Sequence, residues 1–238
     1  MAFSKPYQPL LLRILHGLTG FFLIAATLTA LWTYDTYDGR WINLHLPAYL
    51  DIEGVHGTFG LYTLLIFPAF VVYAFHRGRE RLVQPNALTS LTQVGKPVWW
   101  YTLNRLTNTF ALVALTFALF SGKMMDETWL PKGELDHAWY YAHLAGWVVM
   151  VVAIALHVLL NAKVGGVPWL LSMFSRQFRK VDSPRFWHIH IRWWWRSQKF
   201  RSWQASFQAS PGLIAVEIAI LICLCTAWFV STVKQFFG

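Results

Sequence analysis

Five long apolar segments limit what this chain can fold into. An apolar helix of about 20 residues crosses the roughly 30 Å hydrocarbon core of a bilayer. The segments run from Leu10 to Thr33, Ile52 to Phe75, Leu106 to Gly122, Ala138 to Ala162 and Gly212 to Phe236. Only 13% of the residues are charged, against about 25% in soluble domains, so the chain suits a lipid bilayer. The sequence therefore predicts an all-α polytopic membrane protein.

The distribution of Lys and Arg predicts how the chain is oriented. With the N-terminus in the cytoplasm, 16 of the 20 basic residues lie on the inner side, while the outer loops hold most of the acids. Short cytoplasmic loops of membrane proteins carry such an excess of positive charge. We therefore expect a cytoplasmic N-terminus and a C-terminus outside.

The chain divides by composition into three parts: a four-helix bundle (1–162), a basic and aromatic segment (163–211) and a fifth helix (212–238). The middle part contains FWHIHIRWWWR, from Phe186 to Arg196. Mixed cations and aromatic residues are typical of a helix lying in the membrane interface. Nucleic acid is not an expected partner, because membrane helices hold this segment at both ends.

Four of the nine histidines fall inside the apolar segments: His16, His56, His143 and His157. His143 and His157 are 14 residues apart on one predicted helix, which is close to four full turns and about 21 Å. Both rings are therefore expected on one helix face. Gly146 and Ala153 lie between them on that face, and their small size would leave room for a flat macrocycle.

The direction of each segment gives the depth of each histidine. The first segment enters from inside and the fourth runs inward, so His16 and His157 are expected level near the cytoplasmic face. The second and fourth segments both start outside, so His56 and His143 are expected level near the outer face. His16 opens HGLTG and His56 opens HGTFG, and these glycines would let a porphyrin approach the backbone.

Each histidine taken alone is equally well explained by a hydrogen bond between helices. Four unpaired imidazoles in hydrocarbon would cost several kcal/mol each, and Glu217 is the only acid well inside a segment. Iron held by two imidazoles satisfies all four rings at once, which predicts two haems. Zinc suits the pattern less, because it usually takes three or four protein ligands.

This pattern resembles the bacterial di-haem cytochrome b family, which includes prokaryotic cytochrome b-561 and the membrane subunits of nickel–iron hydrogenases and formate dehydrogenases. The resemblance covers about Leu10 to Ala162. It implies two haem b groups, with His16 paired to His157 and His56 paired to His143, as the depths also suggest. A bacterial inner membrane is the implied location, and a thylakoid membrane is the alternative.

The segment YTLNRLTN, from Tyr101 to Asn108, resembles a family segment near the inner haem and a quinone site, although its Asn is displaced. The resemblance implies that Asn104 and Arg105 contact quinone, and Arg13 and Arg105 could pair with haem propionates. Anchoring at a positively charged inner face explains the two arginines equally well. Glu217 would relay a proton to quinone or extend toward an arginine.

Iron with two imidazole ligands has no open coordination position, so one-electron transfer is the expected chemistry. The resemblance implies an electron-transfer subunit, rather than a complete enzyme, that links an iron–sulfur or other redox subunit to the quinone pool. A stand-alone quinol-oxidising cytochrome is the alternative within this class. A proton-coupled transporter that uses the histidines, or a non-catalytic membrane scaffold, is the alternative outside it.

Overall fold

The computed structural model of the protein describes residues 6–125, 135–197 and 210–237. Its described part is built of α-helices and short 3₁₀ turns, without strands. The helices are α1 (Leu10–Tyr37), α2 (Ile52–His76), α3 (Ala87–Leu91), α4 (Pro97–Met124), α5 (Ala138–Ser172), α6 (Pro184–Ser197) and α7 (Pro211–Phe237). The protein is an all-α polytopic membrane protein, as predicted.

Five helices of the described chain are long and apolar enough to cross a membrane: α1, α2, α4, α5 and α7 over Pro211–Val230. They contain the five predicted apolar segments. Their large exposed apolar side chains, such as Phe21, Leu28 and Leu159, suit contact with lipid. A helix bonds most of its backbone polar groups internally, which a bilayer without water requires.

Two helices extend about ten residues beyond the segments that the sequence suggested, α4 and α5. α4 begins at Pro97 rather than at Leu106, because proline suits the first position of a helix, where its missing N–H costs nothing. α5 continues to Ser172, although Gly166 breaks its helical geometry with φ of 69°. Glycine adopts that left-handed conformation at little cost, so the helix changes direction there instead of ending at Ala162.

The helices pack as two antiparallel pairs. α1 lies along α2 and α4 lies along α5, whereas α1 has far fewer contacts with α5. The main apolar core joins α2, α4 and α7 through buried residues such as Phe67, Leu115 and Leu224. The facing histidines of α1, α2 and α5 lie between these two pairs.

A polar contact ties α7 to α2. His76 Nε2 lies 2.8 Å from Glu217 Oε1, and the Glu217 side chain is 13% exposed. The carboxylate thus contacts an imidazole, whereas the sequence suggested a proton relay or an arginine partner. Because His76 is the last residue of α2, the contact places the beginning of α7 beside the end of α2.

Candidate functional site

The structure brings the four membrane histidines together in two pairs. His16 of α1 faces His157 of α5 with ring centroids 5.9 Å apart, and we call this pair the first tier. His56 of α2 faces His143 of α5 with ring centroids 6.0 Å apart, and this pair is the second tier. The same two pairs follow from the depths of the histidines in the sequence.

The spacing of the rings suits one metal ion between them. If each imidazole nitrogen stands about 2.0 Å from a shared metal and roughly 1.1 Å from its own ring centroid, the two centroids lie about 6 Å apart. Both tiers have this separation. No group of three or more His, Cys, Asp or Glu residues that could hold a metal occurs in the described chain, so each tier offers two protein ligands.

Three of the four rings are held by a hydrogen bond at Nδ1. The bonds join His56 to the carbonyl oxygen of Ala26 (3.0 Å), His143 to Ser121 Oγ (3.1 Å) and His157 to Asn108 Oδ1 (3.0 Å). A histidine that binds a metal commonly donates its second ring N–H in this way, which fixes its tautomer and orientation. With Nδ1 protonated, Nε2 keeps its lone pair for a metal.

A cavity of about 950 Å³ surrounds the second tier. Residues of α1, α2, α4 and α5 line it, and most of the lining is apolar, with both His56 and His143 at its wall. Sites for cofactors and small molecules are typically about 300–1,000 Å³ and mostly apolar. The volume and the two imidazoles together fit a flat macrocycle such as haem.

The glycines that follow His16 and His56 border open space. A Cβ atom placed on Gly17, Gly20, Gly57 or Gly60 would meet no neighbouring atom within 4 Å. Gly57 and Gly60 also line the cavity of the second tier. These positions agree with the expectation that the glycines leave room beside the histidines.

Gly146 has a different role from the predicted one. A Cβ there would stand 3.2 Å from the Phe117 ring of α4, and Gly146 itself is buried. Its lack of a side chain therefore allows α4 and α5 to pack closely, instead of leaving room for a macrocycle. The sequence predicted that Gly146 lies on the face of the histidines, but in the structure it lies against α4.

A glycine that sequence reasoning missed stands behind the second tier. A Cβ on Gly122 of α4 would lie 3.0 Å from Cε1 and 3.4 Å from Nδ1 of His143. Nearby on α5, the indole N–H of Trp147 donates to the carbonyl of Thr27 at 3.0 Å, which joins α5 to α1. Trp147 lies one turn beyond His143 in the direction of His157, so it packs between the two tiers.

Asn108 and Asn161 form a polar cluster at the first tier. Asn108 Nδ2 donates to the carbonyl of Arg81 at 2.9 Å, while its Oδ1 faces His157. Asn161 Nδ2 donates to the His157 carbonyl at 2.7 Å and approaches Asn108 Oδ1 at 3.4 Å. The spacing of four residues between His157 and Asn161 was a signal that could have found Asn161.

The other predicted site residues lie at the first-tier end of the bundle. Asn104 Nδ2 approaches Asn161 Oδ1 at 3.5 Å, and the Asn104 Oδ1 atom is buried without a hydrogen-bond partner among the described residues. Arg105 is half-buried in α4 beside it. Buried Arg13 donates to the carbonyls of Ser175 and Gln177, so its guanidinium holds the segment that follows α5.

A charged network closes the second-tier end. Arg40 contacts Asp38 at 2.5 Å and Asp136 at 3.1 Å, while Tyr140 and Tyr141 donate to these two carboxylates at 2.5 Å. Burial alone would raise the pKa of Asp38, but bonds from Arg40 and Tyr140 outweigh it and hold that pKa below its usual value. Bonds from Tyr141 and Arg40 lower the pKa of Asp136.

Comparison with known proteins gave one family. The family model for prokaryotic cytochrome b561 matches residues 7–176, which include both tiers. No curated protein and no solved structure gave a match.

Proposed function

The chain belongs to the prokaryotic cytochrome b561 family and is therefore a membrane electron-transfer protein that binds b-type haem; we propose that it binds two haems and carries electrons across the bilayer. His16 and His157 would hold one haem, and His56 and His143 the other. The observation that supports this most is the repeated arrangement: two facing imidazole pairs with centroids 5.9 and 6.0 Å apart.

Each haem, when bound, supplies one-electron redox chemistry and has no coordination position open to a substrate. The protein's own residues fix where this chemistry takes place. Asn108, Ser121 and the Ala26 carbonyl hold three of the ligand rings in place. Because α5 carries one ligand of each tier about 21 Å apart, a single helix sets the vertical separation of the two sites.

We place the first tier near the cytoplasm and the second tier near the outer face. The basis is the excess of Lys and Arg in the segments at the first-tier end, with 16 of 20 basic residues on that side. This orientation puts the N-terminus inside and the C-terminus outside, in a bacterial inner membrane. The alternative thylakoid location would require the same asymmetry across that membrane.

Quinone is the proposed small-molecule partner at the first tier. Asn104 supports it, since its buried Oδ1 lacks a partner in the described chain and could accept a hydrogen bond from a quinol hydroxyl. Arg105, next to it, would bind the quinone or a haem propionate. The proposed redox partner on the outer side is an iron–sulfur or similar subunit, which makes this chain one subunit of a larger oxidoreductase.

Electron transfer through the membrane can be tested directly in vesicles. Purified protein is reconstituted with ferricyanide trapped inside, and impermeant dithionite is added outside. We expect the trapped ferricyanide to be reduced by vesicles with the wild-type protein, and most of this rate to be lost with His16→Ala or His56→Ala. A wild-type rate no higher than that of protein-free vesicles would refute the proposed function.

The link to a partner subunit has its own test. The chain is purified from its native membrane in mild detergent, and the proteins that co-purify are identified. An iron–sulfur subunit in a fixed ratio is the expected result. A homogeneous cytochrome that oxidises quinol without any other subunit would support the stand-alone alternative instead.

A further inference from the structure

We propose that α6 is a docking surface for anionic lipid headgroups and that it holds the segment between α5 and α7 on the first-tier face of the membrane. This inference concerns a part of the chain, Pro184–Ser197, that contains none of the proposed haem ligands. The proposed occupant is the phosphate of anionic phospholipids, together with the acyl boundary beneath it.

The position of α6 comes from the residues around it. α5 ends at Ser172 and α7 begins at Pro211, so both neighbours of the segment are membrane-spanning helices. Between them, Arg13 at the beginning of α1 binds the carbonyls of Ser175 and Gln177. The Tyr7 hydroxyl also bonds to Asp182. α6 therefore starts at the level where α1 enters the membrane.

The charge of this region is strongly one-sided. Residues 173–197 contain six Lys or Arg and a single acid, Asp182, which is already bonded to Tyr7. On α6 itself, Arg185, Arg192 and Arg196 are all exposed. Their spacing of seven and four residues places them in one row along the helix. α6 contains no Asp or Glu, so no acid on the helix neutralises the row.

Apolar side chains lie beside the arginine row. Phe186, Ile189 and Trp193 follow each other at spacings of three and four residues, and they are 45%, 51% and 67% exposed. The main contact of α6 within the described chain is with the short turn Lys180–Asp182. A helix with exposed aromatic residues and a basic row lies in the membrane interface, with its apolar side below the headgroups.

Arginine suits phosphate because its planar guanidinium donates two parallel hydrogen bonds to phosphate oxygens. Each basic residue near an anionic surface changes the bound-to-free ratio about fivefold. Removing two arginines should therefore lower that ratio about 25-fold. An acidic protein is the competing occupant, but the exposed Trp and Ile beside the row favour lipid.

The test measures the depth of a spin label on α6 in lipid nanodiscs. The label is attached through Trp193→Cys, in full-length protein whose native cysteines are replaced by Cys223→Ala and Cys225→Ala. Nanodiscs contain either phosphatidylcholine alone or phosphatidylcholine with phosphatidylglycerol. We expect the label to be accessible to oxygen and protected from a polar nickel chelate in the anionic discs, with much weaker protection in the neutral discs.

A charge variant on α6 and a matched control elsewhere distinguish binding of anionic lipid by α6 from a general effect of the protein's net charge. Arg185→Gln with Arg192→Gln should greatly reduce the difference between the two lipid compositions, in line with a bound-to-free ratio about 25-fold lower. The matched control, Arg77→Gln with Lys96→Gln, removes the same charge from exposed residues outside α6 and should preserve it. A label at Ile189→Cys repeats the measurement if the Trp193→Cys protein does not fold.

Three results would overturn the proposal. One is a label that the nickel chelate reaches equally in both discs. Another is equal protection in both discs, which would mean apolar anchoring without recognition of anionic lipid. The third is protection that appears only when a partner protein is added. None of these readouts depends on haem or electron transfer, so a failure here is distinct from a failure of the proposed function.

Discussion

Replacing Asn108 by Leu should raise the reduction potential of the first-tier haem. Asn108 Oδ1 lies 3.0 Å from Nδ1 of His157, and an acceptor at that nitrogen makes the imidazole a more basic ligand. A more basic ligand stabilises oxidised iron, which carries more positive charge. Leucine cannot accept the bond, so the oxidised state loses part of this stabilisation.

The size of the shift follows from the free energy of one hydrogen bond. A neutral hydrogen bond contributes about 0.5–1.5 kcal/mol, and about 1.36 kcal/mol corresponds to 59 mV for a one-electron couple. If the bond acts on the oxidised form alone, the potential rises by about 20–65 mV. Stabilisation of the reduced form by the same bond would bring the rise toward the lower end.

Spectroelectrochemical titration of the purified protein measures this potential. A reciprocal variant, Ser121→Ala, removes the hydroxyl 3.1 Å from Nδ1 of His143 and serves as the matched comparison. Each variant should shift one of the two midpoint potentials and leave the other within a few millivolts. A fall in potential for Asn108→Leu, or the same haem shifting in both variants, would refute the reasoning.

Two further predictions concern the second-tier end of the bundle. Gly122→Ala should distort the His143 site and weaken haem binding there, because the new Cβ would stand 3.0 Å from the ring; the absorbance of each haem at its own potential measures the loss. The loop that Arg40 ties to Asp38 and Asp136 should stay ordered as the pH falls from 8 to 5. It should loosen only below about pH 4, because the lowered pKa values of the two carboxyl groups keep them charged until then. The mobility of a spin label on residues 41–50 measures the change.

Each of these two predictions has a result that would contradict it. Gly146→Ala presses on the Phe117 ring rather than on a histidine, so it should leave both haem spectra unchanged and serves as the control for Gly122→Ala. Equal haem loss in the two variants would mean that general helix packing, and not the His143 ring, is responsible. Loosening of the loop already between pH 6 and 5 would mean that the carboxylates do not hold it.

Periodicity predicted much of the fold and the placement of the histidines. The apolar segments identified the five spanning helices of the described residues, because the thickness of the bilayer sets a minimum length that sequence shows directly. The 14 residues between His143 and His157 placed both rings on one face for the same geometric reason. Helix ends were less predictable: α5 continues beyond the predicted end at Ala162 and through a break at Gly166, because a glycine can change the direction of a helix without ending it.

The partners of the histidines could not be found in the same way. Ser121 and Asn108 belong to α4, and their bonds to the rings of α5 depend on the rotation of one helix against the other. Gly146 illustrates the same limit, since its helical position suits either a macrocycle or the Phe117 ring. Periodicity indicates which face a residue occupies, but only the packed structure shows which neighbour that face meets.

The number of haems per chain tests the central claim most directly. Haem b is extracted as its pyridine complex and divided by the protein concentration from amino-acid analysis, for the wild type, His157→Ala and His143→Ala. The expected ratios are two for the wild type and one for each variant, with the remaining haem still low-spin in both. A wild-type ratio of one, or a ratio that neither substitution lowers, would contradict the assignment of one haem to each histidine pair.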